Sequence, residues 1–558
     1  MAAPWLKIHL PVARIAPNLP MSSIPTLDDF DANVCRYVNN CYRNNIGVSM
    51  QSAQKFRRKI YQPDMLLALF LLVLVGSIVI GGIASRQPIA VIFLVIGLCC
   101  LPAMIIWPEI PTLIVVFVLY TNAAVIAVRF HHLPYFLGTI FPSLLLFPLF
   151  YHLVLKRKKV VINLEFVLIM VFLAIQLFSA IFSENIKLVI PELVTFITEG
   201  VIIYLLVINT VRTERELRRV VWVLLIAGAF MGGLSLIQQV TGTFENNYGG
   251  FAQVGETPFG TGFVTIQEEA TQPRLAGPIG EKNRYAQIML MLVPLGFFRY
   301  WGETSKGLRL IAVIFTGLIL VGTALSFSRG AAVGFVLMLI IIVFMRYIKF
   351  HQLAIIMFGA SLVLILFPQY GKRLASLGEL SSFISTGDIN QVSSADGAIR
   401  GRMTQMIAAA HVFADHPFIG VGTGMYRYYS QQYGREIGLK AVTGTIRAHD
   451  LYLEIAAENG IFGLMCFLLI VFITLRNLAR VRRYWLKKSP DLANLATGFW
   501  LALLSYMTTG IFLHISYIRY FWFILALCGA TSQILNATVS GKPSLNENSL
   551  NISTPDAI

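Results

Sequence analysis

From Met65 onward the chain alternates apolar runs of roughly twenty residues, the length that crosses a bilayer as a helix, with short polar links. The pattern predicts spans near 65 to 84, 88 to 107, 110 to 129, 134 to 155, 162 to 183, 190 to 208, 218 to 240, 284 to 300, 308 to 326, 330 to 346, 351 to 368, 450 to 475, 493 to 513 and 517 to 536. That is about fourteen helices, or twelve if the 108 to 109 hairpin and the short 330 to 346 run do not each mark a separate crossing. The fold class expected is therefore an all-α polytopic membrane protein. Two long polar stretches, 241 to 283 and 369 to 449, interrupt the helices, and loops of that length between spans are usually functional.

Residues 1 to 64 precede the first run, so Met65 opens a retained span and not a cleaved signal peptide. Within this arm Phe30, Val34, Tyr37, Val38 and Cys41 recur at helical spacing, ahead of Lys55, Arg57, Arg58 and Lys59. Two readings fit: a helix lying on an anionic leaflet, or a solvated cytoplasmic arm. Residues 537 to 558, rich in Ser, Asn and Thr, are expected to form a disordered cytoplasmic tail. The domain plan is thus 1-64 arm, 65-536 membrane domain and 537-558 tail.

Composition agrees. Of 558 residues 56% are hydrophobic and 13% charged, about half the charged fraction of a soluble domain. The 44 Lys and Arg against 28 Asp and Glu leave a net charge of +16, and position explains the excess. Lys156 to Lys159, Arg212 to Arg219, Arg299 to Arg309, Arg346 with Lys349, and Arg476 to Lys488 all fall on the side of the N-terminal arm, which makes that side cytoplasmic. The same count puts both long loops outside. Nucleic acid is not an expected partner, since topology accounts for the charge. The six cysteines lie in the arm or inside apolar runs and imply no disulfide framework.

Candidate chemistry gathers in the outer stretches. Arg274 to Asn283 runs straight into a span, with glycines and Pro278 for a tight turn, Asn283 as the expected helix cap, and Arg274 and Lys282 beside a helix N-terminus suited to an anion. Ordinary capping with a snorkelling arginine is the plainer reading. Arg400 and Arg402 open an amphipathic segment in which Met403, Met406, Ile407 and Ala410 share a face. Their planar forks suit a diphosphate, or equally lipid headgroups. His416 to Gly424 is glycine-rich but follows no strand and lacks a Lys-Ser/Thr ending, so it reads as a close-packed turn. Arg447-Ala448-His449-Asp450 stands just before an apolar helix carrying Glu454, Glu458, Asn459, Gly460 and Gly463. An imidazole at the mouth of a membrane cavity can take a proton from an attacking hydroxyl, with Asp450 or another carboxylate orienting it; capping is the alternative. Ser328-Arg329-Gly330 marks a further outer turn, and Glu199 lies inside the sixth span, where it should face an arginine or the bundle interior. The outer loops contain no Asp-x-Asp, no His-x-x-x-His and no cysteine, so neither a metal nor another cofactor is expected.

The order of these features resembles the bacterial O-antigen ligase and O-antigen polymerase superfamily. It comprises Arg274-x-x-Gly277 with Asn283 opening a span, Ser328-Arg329-Gly330, Arg400 and His416-Pro417-x-x-Gly420-x-Gly422 in a long loop, then His449-x-x-x-Leu453 and an Asn459-Gly460-x-x-Gly463 helix. The resemblance covers about 190 to 475. It implies a metal-independent, GT-C-like glycosyltransferase that takes a glycan from polyprenyl diphosphate, such as undecaprenyl diphosphate, on the outer side of the plasma membrane, the inner membrane in a two-membrane envelope. By the same resemblance His449 is the catalytic base, Arg274 with Arg400 or Arg402 holds the donor diphosphate, and Asn283, Arg329, Arg447 and Asp450 support them. The family usually has Asn where this chain has Asp450, and Pro where it has Lys282.

A ligase would hand the glycan to a glycolipid acceptor, as in lipopolysaccharide assembly, and a polymerase to another lipid-linked glycan. No repeated Arg-x10-Gly spacing of the polymerase kind follows Arg274, Arg400, Arg402 or Arg447, which leans toward a ligase in surface polysaccharide biosynthesis. A transporter of an anion or glycan is the alternative from another class, and the inverted repeats common in transporters are not evident.

Overall fold

The structure is a computed structural model that describes residues 107–134, 141–254, 263–266, 270–375, 397–437, 446–513 and 518–539. The N-terminal arm, the expected spans at 65 to 84 and 88 to 107, and nearly all of the tail lie outside the described residues.

What is described is mostly helical. In chain order come α1 (Glu109–Tyr120), α2 (Ala123–His131), α3 (Phe141–Leu155), α4 (Leu164–Ile181), α5 (Ile186–Thr210) and α6 (Glu214–Thr241). The next group is α7 (Lys282–Gly302), α8 (Lys306–Leu325), α9 (Arg329–Phe344), α10 (Phe350–Leu366), α11 (Pro368–Ala375), α12 (Gly397–Asp415) and α13 (Tyr426–Ile437). The chain closes with α14 (Leu451–Trp485), α15 (Pro490–Thr509) and α16 (Ile518–Val539). Among the described residues seven helices are long and apolar enough to cross a membrane: α4, α5, α6, α8, α14, α15 with its last turn, and α16. The pair α1 and α2, bent by 58°, makes an eighth if taken as one span. The chain is a multi-pass membrane protein, and each expected span from 110 to 129 onward coincides with a helix or helix pair.

The all-α expectation needs one correction. The first long loop folds into two small antiparallel pairs, β1 (Gln253–Val254) with β4 (Leu275–Gly277) and β2 (Phe263–Ile266) with β3 (Ala270–Pro273). Strands of two to four residues leave too short an alternation to read in a sequence. The second long loop is likewise structured, carrying α11, α12 and α13.

Helix α7 lies at the centre, packed by α15, α8, α9 and α6. Tyr285, Ala286 and Ile288 through Val293 are fully buried, as a helix apolar on every side requires. Around it, Phe178 and Ile181 of α4, Ile237 and Val240 of α6, Ile314 of α8 and Phe358 of α10 turn large side chains outward, the pattern of a bundle whose solvent is lipid. The two ends of α7 differ in charge. Its C-terminal Arg299 pairs with Glu303, near the Arg218–Asp491 and Arg219–Glu109 pairs that tie the starts of α6, α15 and α1. Its N-terminus, about 30 Å away by helical rise, carries the residues considered next.

Candidate functional site

Four segments meet at the N-terminal end of α7. The first is the start of α7 itself. Glu281, not Asn283, is its cap: the Glu281 carboxylate accepts from Asn283 N at 3.0 Å and Arg284 N at 2.6 Å. A carboxylate satisfies two free N–H groups and complements the positive helix end better than a neutral amide. Asn283 instead bridges, donating to Glu281 Oε1 at 3.1 Å and accepting from Arg274 Nη2 at 3.1 Å.

Arg274 is almost wholly buried, and its guanidinium is spent on the second segment. Nε donates to Ser326 O at 2.8 Å and Nη2 to Phe327 O at 3.3 Å. These are carbonyls of the turn that leads to Ser328, the cap of α9, and to buried Arg329. Tyr370 Oη of α11 adds a bond to Ser328 O at 3.2 Å. Arg274 thereby stitches the first outer loop to the α8–α9 turn.

His449 belongs to the third segment, immediately ahead of α14. It is half-buried and sits in the left-handed region at φ 55°, which a non-glycine residue keeps only where its surroundings hold it. Those surroundings are Arg447 and Asp450. The Arg447 guanidinium donates to Glu454 of α14 at 3.1 Å and to Glu192 of α5 at 3.4 Å, and Ala448 N donates to Glu454 Oε2 at 3.0 Å. Burial works against the charge on Arg447, but Glu454, Glu458 and Glu192 outweigh it and raise its pKa. Glu192 also pairs with Arg427 of α13 at 3.2 Å. Asp450 caps α14, accepting from Leu453 N at 2.8 Å. The Glu281 carboxylate acts on the His449 charge, while Asp450 is engaged as the cap of α14.

Arg402, on the fourth segment, α12, faces His449 electrostatically, and so does Arg284 of α7. Burial, then Arg402, with Arg284 adding to it against Glu281, lowers the imidazole from 6.5 to about 4. At neutral pH it is the free base. Arg400 stands two positions before Arg402 on the same helix, where residues do not share a face; its side chain lies outside the described residues. Arg284 and Glu281 are functional candidates that the sequence reading passed over. The available signal was an ion at the first turn of a helix otherwise buried in apolar surroundings.

The glycine-rich turn after His416 is the close-packed element expected. Helix α14 breaks at Gly460, and the freed carbonyls of Ala457 and Glu458 accept from Val421 N at 3.0 Å and Gly422 N at 2.9 Å, while Ile461 N donates to Pro417 O at 2.8 Å. Ser179 of α4 clamps the junction with bonds to Ile419 O and Glu458 O. This plug fills the break in α14 at Gly460, beyond the Asp450 cap that follows His449. Glu199 faces an arginine, Arg519, at 3.0 Å, one of the two surroundings expected for it.

Among the described residues no three His, Cys, Asp or Glu side chains converge as a metal-binding group. Comparison with curated proteins finds no match. Residues 312–468 match the O-antigen ligase family model. That stretch runs from α8 through Arg329, Arg402 and His449 into α14, while Arg274, Glu281 and Arg284 precede it. Through this segment, 157 of the 558 residues, the chain is similar to O-antigen ligases.

Proposed function

We propose that the chain is a membrane glycosyltransferase that moves a glycan from polyprenyl diphosphate to an acceptor hydroxyl at the outer face of the plasma membrane, as an O-antigen-ligase-like enzyme of surface polysaccharide biosynthesis. One observation carries the reading: an unprotonated imidazole, His449, shares its surroundings with the guanidinium groups of Arg402 and Arg284. The helices α3, α7, α9 and α10 bring the crossings to twelve, with α1 and α2 taken as one span, and the expected spans at 65 to 84 and 88 to 107 make fourteen. The paired charges of Arg218, Arg219 and Arg299 then mark the cytoplasmic end and His449 the outer end.

In the proposed reaction the acceptor O–H gives its proton to His449 as its oxygen bonds the anomeric carbon. The bond from that carbon to the phosphate oxygen breaks, and its electron pair leaves with the polyprenyl diphosphate. Displacement from the opposite side inverts the centre. Charge grows on the departing diphosphate, and cations already fixed in place lower that barrier without reorganising. Arg402 and Arg284 supply them, so the step needs no metal. Arg274, held by the Ser326 and Phe327 carbonyls, sets the position of α9 and Arg329. Arg447 and Asp450 fix the backbone on either side of His449. An imidazole at about 4 is a weak base, but a bound diphosphate opposes the Arg402 and Arg284 charges and raises it, so base strength rises once the donor is seated.

Two results test this. Reconstituted in vesicles with a polyprenyl-diphosphate-linked glycan, the chain should release the free lipid carrier as the acceptor is glycosylated; movement of intact donor or anion without release would favour a transporter. In the same assay, kcat/KM should hold as pH falls and be lost only near 4, because His449 must be unprotonated and its pKa is depressed. Arg402→Ala should move that acid limb upward, toward the about 6.5 of a free imidazole. A limb at 6.5 in the unaltered chain would mean that burial and the Arg402 and Arg284 charges do not depress the imidazole.

A further inference from the structure

The end of α14 remote from His449 carries a second patterned face. Phe462, Met465, Leu469 and Phe472 recur at steps of three and four residues, which places them on one side of the helix, and all four turn outward. Arg476, Arg480 and Arg483 continue the same steps and are also exposed. One continuous stripe therefore changes from apolar to cationic at Arg476. By helical rise the apolar part measures about 15 Å, the hydrocarbon depth of a single leaflet, so Arg476 stands where the phosphates of that leaflet begin. Charge pairing sets these arginines apart. At the same end of the bundle Arg218, Arg219 and Arg299 each meet a carboxylate, whereas among the described residues no ion pair holds Arg476, Arg480 or Arg483. Glu165 of α4 does reach α14 here, but it accepts from Asn477 Nδ2 at 2.7 Å. Arg483 Nε donates to Ala479 O at 3.4 Å, a bond within its own helix that leaves the charge unbalanced.

We propose that this stripe binds one anionic phospholipid of the leaflet at that end, its acyl chains along Phe462 to Phe472 and its phosphate between Arg476 and Arg480. The order of polarity along the stripe is that of the lipid itself, hydrocarbon first and then a negative group. A zwitterionic lipid supplies the same chains, but its ammonium offsets the phosphate, so unbalanced guanidinium groups select a lipid of net negative charge. Arg476 and Arg480 lie one turn apart, about 6 Å along the axis, where two planar forks can reach one phosphate. Arg483, about 10 Å beyond Arg476, stands past the headgroups at the distance over which a charged leaflet still attracts a cation. The match between the apolar length and a leaflet favours a lipid over a soluble acidic partner, which would have to compete for arginines already at the bilayer surface. The stripe lies at the opposite end of the bundle from His449 and does not depend on the transferase reading.

The test is native mass spectrometry of the full chain, titrated in detergent with phosphatidylglycerol and with phosphatidylcholine of identical acyl chains. Phosphatidylglycerol should bind more tightly by about five-fold for each arginine its phosphate meets, roughly 25-fold in all. Arg476→Gln should lower that affinity about five-fold and leave phosphatidylcholine unchanged. Its side chain is exposed and in no ion pair among the described residues, so the variant keeps the fold. Lys306→Gln removes an exposed cation at the start of α8 and, as the control for net charge, should change nothing. Glycerophosphoglycerol, the headgroup without its chains, should not compete. Equal affinity for the two lipids would overturn the proposal and leave the stripe to a soluble acidic partner. Equal losses in Arg476→Gln and Lys306→Gln would also overturn it, showing diffuse attraction only, as would displacement by glycerophosphoglycerol, which would show a simple anion site.

Discussion

Replacing His449 with alanine is expected to lower glycan transfer by about 10²- to 10⁴-fold, the usual contribution of a positioned general base, with donor binding and folding retained. Folding is retained because the residue's backbone, at φ 55°, is flanked by the Arg447 ion pairs and the Asp450 cap, which both variants keep. Alanine carries the same steric cost in the left-handed region, and His449→Asn, whose side chain tolerates that region best, gives a second variant with the backbone favoured and the base removed. Both should bind polyprenyl diphosphate as the unaltered chain does, since Arg402 and Arg284 remain. Transfer at the unaltered rate in either variant removes His449 from the chemistry.

The second large effect concerns stability. Gly460→Ala should destabilise the fold by about 3 kcal/mol or more, seen as a lowered thermal transition in detergent or as loss of the monodisperse protein. Gly460 has φ 65° and ψ −170°, a combination open essentially to glycine alone. A Cβ there would come within 2.1 Å of Phe418 O, and at Gly420 within 2.3 Å of the Glu458 carbonyl carbon. Neither neighbour is a flexible side chain; both are backbone of the plug that fills the helix break. Gly233→Ala in α6 is the control, since a Cβ there meets nothing within 4 Å. An unchanged transition in Gly460→Ala would mean that the plug does not hold the break in α14.

Much of the fold was legible because bilayer crossing imposes one length and one polarity, and the helices α4 to α10 and α14 to α16 fall where apolar runs stand, whereas α11, α12 and α13 fold within the second long polar stretch. The candidate site was legible where a charged or titratable residue interrupts that pattern at a helix entrance, as His449 and Arg402 do. What was not legible depends on partners far away in the chain. Arg447 finds Glu192 across 255 positions, and nothing local announces that pairing. Arg274 stood out as a candidate diphosphate ligand, yet its guanidinium meets two carbonyls more than fifty residues on. Asn283 looked like the cap because Asn is favoured there, but α7 starts two residues earlier and the Glu281 carboxylate takes two N–H groups. The Asn459-Gly460 pair was visible as part of a motif. That it breaks a helix emerged only from the loop seated in it.

The central claim is that guanidinium groups of α12 and α7 grip the departing diphosphate next to His449. Cryo-electron microscopy of the chain in nanodiscs with polyprenyl diphosphate measures this directly. The diphosphate should lie within hydrogen-bonding distance of Arg402 and Arg284, next to the His449 imidazole. Density for it at the opposite end of α7, among Arg218, Arg219 and Arg299, would contradict the account.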